Sequence, residues 1–361
     1  MSNPSDYFKD RMNKIKMFNE FFGSRNKKDC VTKRDTLLSG RIRIEKRIGI
    51  PSINGEIFKV CFGENRKTVK NSCEFEAVVK KIPLSQQALK YIPYQNYKEV
   101  VESFSAFTES FFLKLTDLLV KNGITPHIPY SLKPLTCSKD CNFVNEDILD
   151  QVDNIKGCEL LVVELEDGTL DELLESKVLS NFEILIAFFQ IFMGIYCIKK
   201  YFSIEHYDLH AGNILYKKIP KGGRICYKVG KKTLSIPNIG YIFMIWDFGF
   251  ARIRGKIEQP RYRNNYSRSP SKFYDLFRIT SVVKTYPVDR APLGVITHFL
   301  EQIKKSPETE NEPVKVIRML LEELCKIINK NDLSGDYTNC IATFDTDKKI
   351  NRNLLPKLKG I

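Results

Sequence analysis

The stretch His206-Tyr207-Asp208-Leu209-His210-Ala211-Gly212-Asn213-Ile214-Leu215 holds an acid, two histidines and an amide. It follows an apolar run, Ile184 to Ile198, and leads into a strand-like run, Asn213 to Tyr216. Further on comes Trp246-Asp247-Phe248-Gly249, at the end of a second apolar run, Tyr241 to Ile245. A carboxylate, an amide shortly after it and a second carboxylate downstream form the set that metal-assisted phosphoryl transfer needs. Asp208 would orient the attacking hydroxyl. Asn213 and Asp247 would supply the oxygen ligands for magnesium on the nucleotide phosphates.

Such chemistry also needs a fixed cation and a backbone that can approach phosphate closely. Phe75 to Ile82 reads as a strand carrying Lys80 and Lys81. Neighbours on a strand face opposite sides, so only one of the two lysines can point inward. Arg43 to Val60 reads as two strands around a turn that holds Gly49, Pro51, Asn54 and Gly55. Glu99, Glu102 and Glu109 follow on helical segments and are candidate partners for the lysine. Leu160 to Leu174 reads as a buried strand, a short linker and a helix. Tyr216 to Gly240 is lysine-rich with four glycines and reads as a long hairpin. Residues 1 to 40 read as one or two helices packing on the main body, or as a loosely ordered extension. From Thr280 to Ile361 amphipathic helices are expected, with loops at Pro287 to Pro292 and Ser306 to Pro313.

The 361 residues fit one two-lobed domain or two ordinary ones, and 43% hydrophobic content is ample for a sizeable core. The apolar run Ile184 to Ile198 reads as a core helix, too short to span a bilayer and interrupted by Gln190. Ten cysteines at irregular spacing, after a polar N-terminus with no signal peptide, point to reduced thiols in a cytoplasmic or nuclear setting. Cys137-x-x-x-Cys141 is the one close pair. A zinc site there would need two more ligands, for which His127 and Cys158 are the candidates. The net charge of +14 permits attraction to nucleic acid, anionic membranes or acidic proteins without choosing among them.

Together the motifs resemble the eukaryotic-type protein kinase superfamily, with its H-R-D-L-x-x-x-N catalytic loop and D-F-G metal motif. The resemblance covers about Arg41 to Lys284 and implies an α+β, bilobal protein-kinase-like fold. That fold has a small antiparallel β-sheet N-lobe with one long helix and a mainly helical C-lobe. The implied boundaries are an N-terminal extension over 1–40 and a kinase-like domain over 41–361, with an N-lobe of about 41–165 and a C-lobe of about 166–361. By resemblance, Lys80 stands for the V-A-I-K lysine that binds the α- and β-phosphates, and Glu109 is its partner, with Glu102 in reserve. Glu109 to Leu113, then Thr125-Pro126-His127-Ile128, resembles the family's E-x-x-x-L helix and H-P-x-I turn. Gly49 and Gly55 stand for the first and third glycines of the phosphate loop, with Ile57 in the strand beyond. The loop is one residue longer than the family form and has no second glycine. Val163 would line the adenine pocket, and the backbone of Glu164 to Glu166 would hold the adenine edge. His210 would contact the transferred phosphate, and Asp275 would brace the catalytic loop.

Three departures stand out. Tyr207 replaces the arginine before the catalytic aspartate, His210 replaces the usual lysine, and no A-P-E is present. The His210-Ala-Gly-Asn213 form and Tyr274-Asp275-Leu276 are similar to the divergent serine/threonine kinases of nucleocytoplasmic large DNA viruses. The implied function is ATP- and magnesium-dependent transfer of the γ-phosphate to serine or threonine of protein substrates. The location implied is cytoplasmic: the host cell cytoplasm, or the virion if the protein is viral. Residues 250–278 carry eight basic side chains against Glu258 and Asp275, which implies a preference for acidic substrates. The alternatives are a small-molecule kinase of the aminoglycoside or choline type, and a non-catalytic, pseudokinase-like binding protein that could bind nucleic acid.

Overall fold

The computed structural model describes residues 3–23, 36–37, 42–52, 55–62, 73, 75–91, 105–131, 135–137, 141, 143, 148, 154–258, 271–281, 294–305, 312–331 and 339–350. Over these residues the chain forms two compact units. One takes in Lys14–Lys114 and Tyr130–Leu165; the other takes in Met1–Asn13, Leu115–Pro129 and Glu166–Lys357. The first helix, α1 (Pro4–Gly23), begins in the second of these.

The first unit is built on a six-stranded antiparallel sheet. Its strands are β1 (Thr36–Leu37), β2 (Ile42–Ser52), β3 (Gly55–Phe62), β4 (Phe75–Ser85), β5 (Leu135–Cys137) and β6 (Ile155–Glu164), in the spatial order β1-β2-β3-β4-β6-β5. In β4 every residue from Ala77 to Ile82 is buried, as is every residue of β6 from Gly157 to Val163. Both strands are central, so their β-branched residues meet packing on both faces. Helix α2 (Gln86–Tyr91) follows β4, and α3 (Ser105–Lys121) contributes its part up to Lys114. From Phe107 to Leu113 that part is buried all round, its polar Thr108, Glu109 and Ser110 included, with Phe111 and Phe112 both fully buried and edge-to-face.

The second unit carries α4 (Leu170–Glu175), α5 (Asn181–Phe202), α6 (Tyr274–Thr280), α7 (Gly294–Lys305) and α8 (Pro313–Asn331). Among them lie short strands β7 (Gly168–Thr169), β8 (Ile204–Glu205), β9 (Ile214–Lys218), β10 (Arg224–Val229), β11 (Lys232–Pro237), β12 (Tyr241–Ile245), β13 (Arg252–Ile253) and β14 (Cys340–Asp345). Helix α5 starts at a capping box, Ser180 with Glu183, and stops where Ser203 turns left-handed at φ 56°. It has 22 residues and by length and composition could cross a bilayer, so the argument from a short run fails. What marks it as a core helix is that every residue from Ile184 to Lys199 is buried within the protein. Helix α8 buries Val316, Ile317, Leu320, Leu321, Leu324 and Ile328, an apolar stripe of helical period.

Three further readings of the sequence meet the structure here. The lysine-rich stretch is a hairpin, with β10 and β11 paired from Arg224↔Pro237 to Val229↔Lys232. The C-terminal region is not helical throughout, because β14 pairs in parallel with β10. The thiols are not all reduced. Cys61–Cys73, Cys141–Cys158 and Cys226–Cys340 are disulfides, with Cα atoms 5.4, 5.9 and 5.8 Å apart. Such spacings arise from strand pairing and loop closure, which cysteine positions alone do not reveal.

Candidate active site

Asp208, Asn213 and Asp247 all lie in the second unit, and strand register brings their segments together. The loop that carries Asp208 leaves β8, makes a single 3₁₀ turn over Ala211–Asn213 and enters β9. The His210 ring caps that turn by accepting from the Gly212 N–H at 3.2 Å. Strand β9 pairs antiparallel with β12, ending at Ile214↔Ile245. The residues just outside this last pair, Asn213 and Trp246, therefore stand side by side, and the Trp246 N–H donates to the Asn213 carbonyl at 2.9 Å. Asp247 follows at once, held at φ 59°, with its Oδ1 accepting from the Gly249 N–H at 3.2 Å.

Side chains lock the loop. Asn213 Nδ2 donates to the Asp208 carbonyl at 2.8 Å. The Asp275 carboxylate accepts from both the His206 and Tyr207 N–H groups, each at 2.8 Å, so it ties the loop to α6. The His206 ring bonds the Trp246 carbonyl at 2.8 Å and packs on Phe248. The catalytic loop and the Asp247 segment are thus fastened to each other by His206 as well as by the sheet. Tyr207 sits at φ 70° between them, which is uncommon for an aromatic residue and is upheld by the Asp275 bond to its N–H. His210 Nε2 lies 3.9 Å from Asp208 Oδ2, a long and solvent-exposed contact.

The lysine expected from the sequence, Lys80, lies in the first unit. Lys80 Nζ is 2.9 and 2.7 Å from the two carboxylate oxygens of Glu109, and both side chains are under 5% exposed. Lys81 faces the other way and has its own buried partner, Glu56, at 2.7 Å. The β3–β4 register places Glu56 opposite Lys81 and Ile57 opposite Lys80. Gly49 lies within β2, and Gly55 opens β3 at φ 144°. A Cβ at Gly55 would stand 2.7 Å from the Lys81 carbonyl, so this glycine is needed for close strand approach. Val163 is buried in β6. The Glu164 N–H already donates to the Tyr130 carbonyl at 3.0 Å, so this amide is not offered to an adenine edge. Glu166 begins the second unit's long segment. Glu99, Glu102, Asn54, residues 66–71 and the segment with Arg261, Tyr262, Arg263, Tyr266, Ser267, Arg268 and Ser269 lie outside the described residues.

One group escaped the sequence reading. Glu205 is buried and accepts from Arg252 Nε at 3.0 Å and from Arg254 Nη2 at 3.0 and 3.1 Å, while Lys199 Nζ is 3.6 Å away. Arg252 also reaches Glu258 at 3.2 Å, and its guanidinium lies 4.1 Å over the Tyr207 ring. The available signal was an acid directly before the His206-Tyr207-Asp208 motif, with arginines just beyond Asp247.

His127 is the anchor of the turn before the first unit's last strands. Its ring bonds the Phe243 carbonyl at 2.8 Å and the Tyr227 hydroxyl at 2.7 Å, and its own carbonyl accepts from the Ile245 N–H. Burial pushes its pKa down to about 3, with the Arg11 charge adding to the effect against the Phe243 bond. From α1, Arg11 donates to the Pro126 and Ile128 carbonyls at 3.0 and 2.7 Å, closing the same turn from outside.

The donor set at Asn213 and Asp247, one amide oxygen and one carboxylate, suits a hard cation such as magnesium. The bond to the Asp208 carbonyl uses the Nδ2 end of the Asn213 amide and not its oxygen, the atom a metal would take.

A family model described as Haspin like kinase domain matches residues 14–267, more than half of the chain. Protein 019R of Frog virus 3 (isolate Goorha) is 30% identical over 138 residues, which are 37% of this chain and 15% of that protein. Protein 380R of Invertebrate iridescent virus 6 is 32% identical over 99 residues, 26% of this chain and 17% of that protein. Protein R400 of Acanthamoeba polyphaga mimivirus is 24% identical over 200 residues, 45% of this chain and 42% of that protein. All three carry serine/threonine-protein kinase in their names, and the chain spans less than half the length of each. The expected resemblance to viral kinases holds, and the chain belongs to the Haspin-like kinase domain family.

Proposed function

We propose that this chain is an ATP- and magnesium-dependent protein kinase that phosphorylates serine or threonine hydroxyls. The observation that carries the reading is the Lys80–Glu109 pair, buried and doubly bonded. Kinase catalysis requires this pair together with the metal-binding aspartate, and no member of the set is missing from this sequence. A non-catalytic member would have no need to keep a desolvated ion pair in place.

In this reading Asp208 accepts the proton of the attacking hydroxyl. Its position is set by Asn213, and through the loop backbone by Asp275. Lys80, fixed by Glu109, offers a preorganised ammonium to the α- and β-phosphates. Asn213 and Asp247 would hold magnesium. That ion, when bound, neutralises charge on the phosphate oxygens. Ile57 and Val163 would line the base pocket, and Glu166 would contribute backbone to the adenine edge. His210 would donate to the transferred phosphate. Protein substrates rich in acidic residues are favoured in this reading, and the setting is cytoplasmic.

The test is transfer of labelled γ-phosphate to casein, with mass-spectrometric mapping of the modified hydroxyls. Labelled serine or threonine is expected, and Asp208→Asn and Asp247→Ala should abolish it. Labelling of amino alcohols but not of casein would move the assignment to a small-molecule kinase. Nucleotide binding with no transfer to either would leave a binding protein.

A further inference from the structure

In the first unit, the sulfur atoms of Cys137, Cys141 and Cys158 all lie within 4.8 Å of one another. Cys137 and Cys158 are directly opposed on β5 and β6, and Cys141 follows four residues after Cys137. Cys137 and Cys158 are buried, and Cys141 is half-buried. Four zinc-bound thiolates, each at about 2.3 Å from the ion in a tetrahedron, stand roughly 3.8 Å apart. Three sulfurs this close need little movement to take three corners of that figure.

The backbone is shaped for the approach. A Cβ on Gly157, next to Cys158, would stand 2.2 Å from the Cys137 carbonyl oxygen. Only glycine there lets β5 come so close to β6. His127, the other ligand considered from sequence, is committed to Phe243 and Tyr227. In the structure Cys141 and Cys158 form a disulfide and Cys137 is disulfide-bonded as well, so the cluster is oxidised.

We propose that in the reduced protein Cys137, Cys141 and Cys158 hold a structural zinc ion that ties β5 and Cys141 to β6. This is independent of the kinase reading. Opening the Cys141–Cys158 bond takes two electrons and two protons, and freeing Cys137 from its own disulfide takes two more of each. For each bond a dithiol such as dithiothreitol supplies them and itself becomes a cyclic disulfide. Zinc then displaces one proton from each thiol, which is why binding weakens at low pH. A fourth donor completes the tetrahedron.

The experiment uses the full chain, expressed with zinc and purified under dithiothreitol without chelator. Elemental analysis is expected to find about one zinc per chain and no iron. Cys137→Ser, Cys141→Ser and Cys158→Ser should each lower the zinc content several-fold, whereas Cys325→Ser should leave it unchanged. The same series across the remaining cysteines identifies the fourth donor. If the ligand variants fail to fold, cobalt exchange into the unaltered chain gives the answer, because thiolate-to-cobalt charge-transfer bands report sulfur ligation directly. Folded, reduced protein with no metal and no cobalt–thiolate bands overturns the proposal. So does a Cys141–Cys158 disulfide that persists under dithiothreitol, or iron in place of zinc.

Discussion

At the scale of single residues, the paired lysines separate catalysis from stability. Lys80 and Lys81 are neighbours on β4, each buried against its own carboxylate. Removing one partner of a buried pair leaves an uncompensated charge and costs roughly 3–5 kcal/mol. Lys80→Met should therefore lower both the rate, by about 100-fold or more, and the melting temperature. Adding Glu109→Gln should restore much of the melting temperature and none of the rate. Lys81→Met should lower the melting temperature, and Glu56→Gln should restore it, with the rate per folded molecule little changed. Rate loss that follows Lys81 instead would reverse the assignment. His127 gives a pH signature. Its folded pKa of about 3 lies below the ordinary 6.5, so the unfolded chain binds the extra proton between those values. Its contribution is complete above pH 6.5 and is lost as pH falls towards 3, at up to about 1.4 kcal/mol per pH unit. Urea midpoints taken across that range should fall with acid, and His127→Gln should flatten this part of the profile.

At the scale of elements, the register of β9 on β12 and the link from α6 through Asp275 set the catalytic loop. Many kinases place an arginine before the catalytic aspartate, and a phosphorylated activation segment pairs with it. Here that position is Tyr207, and the cation above its ring, Arg252, is already bonded to Glu205 and Glu258. Internal carboxylates occupy the guanidinium that a phosphate would otherwise bind. The protein should be active when purified from phosphatase-treated bacterial lysate, with residues 250–275 shown unmodified by mass spectrometry. Protein that is inert until Tyr262, Tyr266, Ser267 or Ser269 is phosphorylated would contradict this. Glu205→Gln should lower the turnover number while leaving the KM for ATP nearly unchanged, because the change acts on the loop and not on the lysine pair. Equal loss in both would mean a general loss of fold.

At the scale of the whole molecule, the net charge of +14 names no partner, but the basic side chains of residues 250–278 should favour acidic sequences near the target hydroxyl. Of the eight basic side chains between 250 and 278, Arg252 and Arg254 are engaged with Glu205. Any preference must rest on the others. A peptide-library profile should show acidic or phosphorylated residues around the site, with rates that fall as salt rises. A profile favouring arginine would refute the charge argument.

The sequence alone determined the chemistry, because phosphoryl transfer needs a few residue types at short, fixed spacings. Asp208, Asn213 and Asp247 could be put forward for it from His206 to Asn213 and Trp246 to Gly249. The strand of Lys80 was legible from its β-branched run, and the lysine-rich hairpin from its glycines. What lay beyond local spacing was decided by tertiary structure. Glu99, Glu102 and Glu109 were all candidate partners for Lys80 in the sequence, with Glu109 favoured only by resemblance, and helix α3 brings Glu109 to it. Strand β14 reads as nothing in particular until β10, more than a hundred residues earlier, gives it a partner and Cys226 meets Cys340. Glu205 gains its meaning only when Arg252, Arg254 and Lys199 converge on it. The three clustered cysteines likewise become neighbours only when β5 lies on β6. Spacing records which groups share one turn or one strand. Groups far apart in sequence are joined by burial and strand pairing, which depend on the whole chain at once.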